Sequence, residues 1–289
     1  MTYQVLLFYK YVEIQDPELL KEQIRDLAAA HSLTGRILVA NEGINGTVEG
    51  EVEHTEQFAS ALLSYPLFSD MGIKRSVGTG DSFPKLSVKV RDEIVGTHFD
   101  KKIDPTKKTG KRLSAEELRT WYEEQRDFVV VDMRNDYEYK SGHFKDSINP
   151  ELENSRDLPK ALPKLEPLKK KTVLTVCTGG IRCEKMSAFL LEHGFEDVYQ
   201  LDNGIHGYME KFPGKDFEGA LYTFDNRKTM DFGGDRSVIG TCYLCSEPTE
   251  LYVNCKNDFC HLHFLACANC QSEDGTFCSK SCASKIATT

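Results

Sequence analysis

No apolar run in this 289-residue chain is long. The longest, Tyr3–Tyr9 (interrupted by Gln4) and Phe128–Val131, stop far short of the ~20 residues a membrane-crossing helix needs. The opening residues lack the basic start and small-residue cleavage site of a secretory signal. No internal repeat or low-complexity tract is present. A cytoplasmic protein without a membrane partner is therefore expected, and a hydrophobic content of 40% suits a packed core. Redox fingerprints are missing too: there is neither a glycine-rich flavin motif nor a two-histidine-one-carboxylate pattern for oxygen-activating iron.

A basic surplus is also lacking. The net charge of −9 argues against wholesale nucleic-acid binding, but it is unevenly spread. Residues 101–112 hold six basic side chains and one acidic one: Lys101, Lys102, Lys107, Lys108, Lys111 and Arg112 against Asp104. From charge alone the simpler reading is a solvated connector; the functional one is a segment that contacts tRNA or other phosphate.

What is present is cysteine, ten in all. Two stand close together, Cys177 and Cys183, and eight fall between Cys242 and Cys282. In a reducing compartment, paired spacing points to metal rather than to disulfides.

Strand and helix patterns alternate through residues 1–100: a strand at Tyr3–Tyr9, a helix from Asp16 to Ala30, and strands at Arg36–Ala40 and Gly46–Glu49 around the turn Asn41–Asn45. A helix at Glu53–Tyr65 and strands near Ile73–Val77 and Leu86–Val90 follow. The order βαββαβ predicts a ferredoxin-like sandwich, with Gly43 and Gly46 serving turns that need positive φ. Residues 101–112 read as a basic linker. Ser114–Glu117 is a capping box opening a helix to about Gln125. Phe128–Asp132 and Thr172–Val176 are continuous apolar strands, the signature of a parallel sheet covered on both faces. A helix over Cys183–His193 stops at Gly194, and a short strand Val198–Leu201 follows. Residues 113–218 thus form an α/β domain, and residues 219–289 a small cysteine-rich one.

Open α/β sheets place their active sites in the loops that follow the strands. After Thr172–Val176 comes Cys177-Thr178-Gly179-Gly180-Ile181-Arg182-Cys183. A cysteine between a strand and a helix faces backbone N–H groups and the helix's positive end, which favour the thiolate over its ordinary pKa of ~8.5. Two glycines let the backbone curl round the sulfur, and Arg182 adds a fixed charge. A buried, inert cysteine would not explain those additions. The C-x4-R spacing makes a smaller cradle than the C-x5-R of cysteine phosphatases, which favours a persulfide over a phosphate. Cys183 has two readings: a residue that resolves a persulfide or pairs with Cys177, or one that packs inward at the helix start.

The tail reads Cys242-x2-Cys245, Cys255-x4-Cys260, Cys267-x2-Cys270 and Cys278-x3-Cys282. Four close pairs supply two all-thiolate structural zinc sites. So few large apolar residues would hardly fold without metal. Interleaved pairing, first with third and second with fourth, is expected, with His261 and His263 as bystanders.

Val131–Arg134, Glu138, Ser141–Phe144, Asn149-Pro150, the Cys177 loop and Leu201–Gly207 resemble the successive motifs of a rhodanese domain, with Tyr208 where that family usually has tryptophan. The resemblance implies that Asp132 and Arg134 brace the domain and that His143 lies near the carboxyl edge of its sheet. With the stretch Asn41–Val48 of the ferredoxin-like (acylphosphatase-like) start and the cysteine-rich tail, the whole chain resembles the bacterial tRNA uridine hydroxylase family. That resemblance implies oxygen-dependent 5-hydroxylation of the wobble uridine (position 34) of tRNA, with Cys177 as the active, persulfide-carrying cysteine. The alternatives are a sulfurtransferase with a small or protein acceptor and a zinc-dependent scaffold. The intact Cys177 and Arg182 speak against the scaffold.

Overall fold

A computed structural model describes residues 2–284. Period-two alternation builds the first layer. In β1 (Tyr3–Tyr11), Leu6 and Phe8 point into a core, as do Ile37 and Val39 of β2 (Thr34–Ala40) and Ile44 and Val48 of β3 (Gly43–Glu51). Helices α1 (Pro17–Ala30) and α2 (Val52–Leu63) cover that face with Leu20, Ile24, Phe58 and Leu62. With β4 (Ile73–Gly78) and β5 (Leu86–Val90) the sheet runs β4-β1-β3-β2-β5. The first four strands in that order are the ferredoxin-like arrangement; β5 is added at the edge, parallel to β2.

Two local expectations need correction. The turn is shorter than Asn41–Asn45, because Ala40 already pairs with Gly43. Gly46 lies in β3 and serves no turn: a Cβ there would come within 2.3 Å of the Phe8 ring, so close packing requires the glycine. Gly43 does sit at positive φ.

The second layer is a parallel sheet in the order β6-β10-β9-β7, formed by β6 (Lys111–Leu113), β7 (Val129–Asp132), β9 (Thr172–Val176) and β10 (Asp197–Leu201). Around it lie α3 (Ala115–Glu123), α4 (Asp136–Ser141), β8 (Gly142–Phe144), α5 (Leu158–Leu165), α6 (Ile181–Glu192) and α7 (Gly204–Lys211). The capping box of α3 has both of its hydrogen bonds. Asp132 and Arg134 are fully buried, and Arg134 Nη2 donates to Asp132 (2.6 Å) and to the Gly142 carbonyl (2.6 Å), which ties β7 to β8. His143 stacks on Tyr139 at 3.9 Å.

Beyond β11 (Phe217–Gly219), β12 (Leu221–Tyr222) and β13 (Thr229–Met230), the cysteine-rich region adds the hairpin β14 (Tyr252–Asn254) and β15 (His263–Leu265) and a final turn, α8 (Lys280–Ser284). It docks through rings: Tyr222 and His263 each pack within 5.0–5.7 Å of Tyr137, of Tyr252 and of one another. The Tyr252 hydroxyl donates to the Tyr137 carbonyl (2.5 Å). Since Tyr137 lies on α4, this region buttresses the helix that carries Glu138.

Candidate active site

Cys177 stands at the carboxyl end of β9, and Gly180 takes the left-handed conformation (φ 98°) that turns the chain into α6. The turn brings the Gly180 N–H to 3.2 Å from Cys177 Sγ. Burial of Cys177 raises its thiol pKa. The Cys183 thiol, the Arg182 charge and the backbone N–H groups of residues 182 and 183 outweigh that effect and bring the pKa down to about 6. Cys183 moves the opposite way: burial and the adjacent thiolate push it well above the ordinary range. The two cysteines are not joined in a disulfide, and Cys183 stays protonated beside Cys177, whose pKa its thiol helps to lower.

Arg182 is held by a residue that sequence reading placed in a motif but gave no role. Glu138, fully buried on α4, receives both Arg182 nitrogens at 2.5 and 2.8 Å. Arg182 also reaches Thr178 Oγ1 (3.3 Å), and the Phe224 ring lies 5.5 Å away. The guanidinium is thus fixed beside the loop rather than free to swing.

The roof of the loop comes from the ferredoxin-like domain. The sheet face turned away from α1 and α2 carries Leu7, Tyr9, Arg36, Leu38, Asn45 and Thr47, every second residue of three strands. This face lies against Gly179 and Gly180: a Cβ on either glycine would stand 2.9 Å from Leu7 Cδ2 or from the Tyr9 hydroxyl. Between sheet and loop is a cavity of about 490 Å³, lined on one side by Thr178, Gly179, Ile181 and Arg182. Opposite stand Tyr9, Arg36, Asn45, Thr47 and Phe83, with Asn154, Arg156 and Phe224 at its border. Cys177 itself is fully buried beneath the loop.

Buried polar contacts lock the two domains together. Lys185, 1% exposed, pairs with Glu42 (2.8 Å) and Glu93 (3.2 Å) of the first domain. Glu184 accepts from the Tyr9 hydroxyl (3.3 Å), Gln200 (3.1 Å) and Arg112 (2.5 Å). The stretch Asn41–Val48 therefore does more than turn: Glu42 docks the domains, while Asn45 and Thr47 wall the cavity. The visible hint was its polar residues at alternate positions of a strand.

The basic segment is less free than its charge suggested. Lys111 and Arg112 belong to β6 and pair with Asp197, and with Glu184 and Asp202, respectively. Lys101 pairs with Glu192 and Lys107 with Asp104, while Lys102 and Lys108 are exposed.

The eight tail cysteines assemble as two tetrads, Cys242/Cys245/Cys267/Cys270 and Cys255/Cys260/Cys278/Cys282, the interleaved order expected. A tetrahedron of sulfurs about 2.3 Å from zinc has edges of about 3.8 Å. The Sγ–Sγ separations of 3.6 Å (Cys245–Cys267), 3.5 Å (Cys255–Cys282) and 3.6 Å (Cys260–Cys278) fit. His263 belongs to neither tetrad and lies in the aromatic docking cluster.

Comparison with known proteins matches residues 3–94 to the UPF0176 acylphosphatase like domain, residues 114–211 to the rhodanese-like domain and residues 218–283 to the rhodanase C-terminal model. The chain is 43% identical to a tRNA uridine(34) hydroxylase of Cytophaga hutchinsonii, over 97% of this chain and 89% of that one. It belongs to the tRNA uridine(34) hydroxylase family. A Staphylococcus aureus member is 41% identical over 98% of this chain and 90% of its own length. Among solved structures, a rhodanese-like domain protein of Staphylococcus aureus is similar over 34% of this chain and 90% of that one (24% identity, TM-score 0.30). The three matched regions correspond in order to the ferredoxin-like layer, the parallel-sheet layer and the cysteine-rich tail.

Proposed function

We propose that this protein hydroxylates C5 of the wobble uridine (position 34) of tRNA in the cytoplasm, with molecular oxygen as co-substrate and Cys177 in the chemical step. The cavity supports this reading best. One wall is a thiolate-stabilising loop, and the other is a polar, aromatic-bearing sheet face.

An anticodon-loop base is single-stranded and can leave its stack at modest cost. Phe83 and Phe224 offer flat apolar surfaces beside such a base. Asn45 donates to the Ile94 carbonyl (2.9 Å), which leaves its Oδ1 as an acceptor suited to the uracil N3–H. Arg36 and Arg156 supply positive charge for the flanking phosphates.

Within the loop, Gly180 N–H and the Cys183 thiol hold the Cys177 anion, and Arg182 is kept in place by Glu138. A persulfide on Cys177 extends the reactive atom by about 2 Å, the length of a sulfur–sulfur bond. Arg182 acts on the sulfur by its charge and on the loop through Thr178. The tetrads are read as two structural zinc sites: each presents four thiolates with no open position, and the metal would hold the tail against α4.

Nucleoside mass spectrometry of tRNA from cells lacking the protein tests the reading. The expected outcome is loss of 5-hydroxyuridine derivatives. An unchanged nucleoside profile, with thiosulfate-to-cyanide sulfur transfer by the purified protein, would replace it with a sulfurtransferase.

A further inference from the structure

None of the cations of residues 101–112 lines the cavity over the Cys177 loop. Four of the six are already paired with carboxylates. A different set of cations is uncommitted. Strands β2 and β5 pair in parallel, with Arg36 opposite Ser87 and Leu38 opposite Lys89. Alternation therefore puts Lys85, Ser87, Lys89 and Arg91 on the same side of the sheet as Arg36 and Leu38.

These residues line a groove of about 430 Å³ with Gly35, Phe83 and Pro84, and the lining includes no carboxylate. Arg36, Lys85, Lys89 and Arg91 are exposed, and among the described residues none has an ion-pair partner. The Arg91 guanidinium donates only to the neighbouring Val90 carbonyl. The groove shares Arg36, Leu38 and Phe83 with the cavity over the Cys177 loop, so the two are continuous. At the border of the cavity, Arg156 is a further exposed cation without a carboxylate partner among the described residues.

We infer that the sugar–phosphate backbone of the anticodon loop lies along the β2–β5 groove, held by Lys85, Lys89 and Arg91, and delivers its base past Arg36 into the cavity. The inference rests on the tRNA reading above and moves the backbone contacts from residues 101–112 to the ferredoxin-like domain. A phosphodiester recruits cations that need not first release a carboxylate, and the groove supplies them in a row. Alternate residues of a strand recur every ~6.6 Å, a step that suits successive phosphates of an extended single strand. Because β5 is an edge strand, one flank of the groove stays open for the stem of the RNA.

The test compares two triple variants of the full-length, zinc-loaded chain by fluorescence anisotropy with a labelled anticodon stem–loop RNA at several salt concentrations. Arg36 is left intact because it also lines the cavity. K85E/K89E/R91E is expected to weaken binding roughly tenfold or more and to lower the salt slope by about two, at ~0.7 per single-strand phosphate contact. K101E/K107E/K108E is expected to stay within about twofold of the parent chain. Parent-like binding by the first variant, or loss confined to the second, overturns the proposal. Melting temperature and zinc content check the fold; if the glutamate triple is damaged, K85Q/K89Q/R91Q decides by the same two outcomes. If the parent chain binds no RNA and tRNA nucleosides are unchanged in cells lacking it, the functional reading falls and takes this one with it. RNA binding that ignores the groove variants overturns the groove alone.

Discussion

At Cys177, burial works against the anion and its neighbours work for it, and the balance puts the thiol at about 6. The thiolate therefore predominates above that pH, and activity is expected to fall as pH drops through about 6. The stability linkage has the same sign. The folded pKa lies below the unfolded one, so the thiolate's contribution is present at high pH and lost as pH falls through about 6. Cys183→Ala removes a donor and is expected to move the acid limb to higher pH, as read by thiolate absorbance and by the activity profile. A limb that stays in place would contradict the donor role of Cys183. Glu138→Gln leaves Arg182 buried without its counter-charge. A loss of about 3–5 kcal/mol in urea unfolding is expected, with loss of hydroxylation; a parent-like unfolding curve would refute the clamp. Cys177 and Arg182 were legible in the sequence because the whole cradle is local, six residues from strand end to helix. Glu138 was not, because a 44-residue separation hides which carboxylate meets Arg182.

Among the elements, the tail and α4 depend on each other. Two zinc ions per chain are expected by elemental analysis. Their removal by a chelator should loosen the Tyr137–Tyr252 contact, raise hydrogen exchange at residues 136–141 and lower activity. Exchange at α4 that ignores the chelator would show that the tail is no buttress. The tetrads could be read from spacing alone, since each close pair supplies half a site. The strand Lys111–Leu113 could not: two of its three residues are exposed cations, and it becomes a strand only by pairing with Tyr199–Leu201. Tertiary context, not local preference, decides such a short edge element.

At the scale of the whole molecule, one domain roofs the loop of another. The sequence shows each domain by its periodicity, but not the face by which they meet, since Tyr9, Asn45 and Arg36 look like an ordinary solvated sheet surface. Lys185 is central to that docking. Lys185→Ala leaves Glu42 and Glu93 without their shared cation and is expected to cost several kcal/mol. It should also separate the melting of the first domain from the rest in calorimetry. A single unshifted transition would contradict it. The most direct test of the account is complementation of cells lacking the protein with Cys177→Ala, produced at parent levels, followed by tRNA nucleoside mass spectrometry. The account predicts that the parent chain restores 5-hydroxyuridine derivatives and Cys177→Ala does not; full restoration by Cys177→Ala would contradict it.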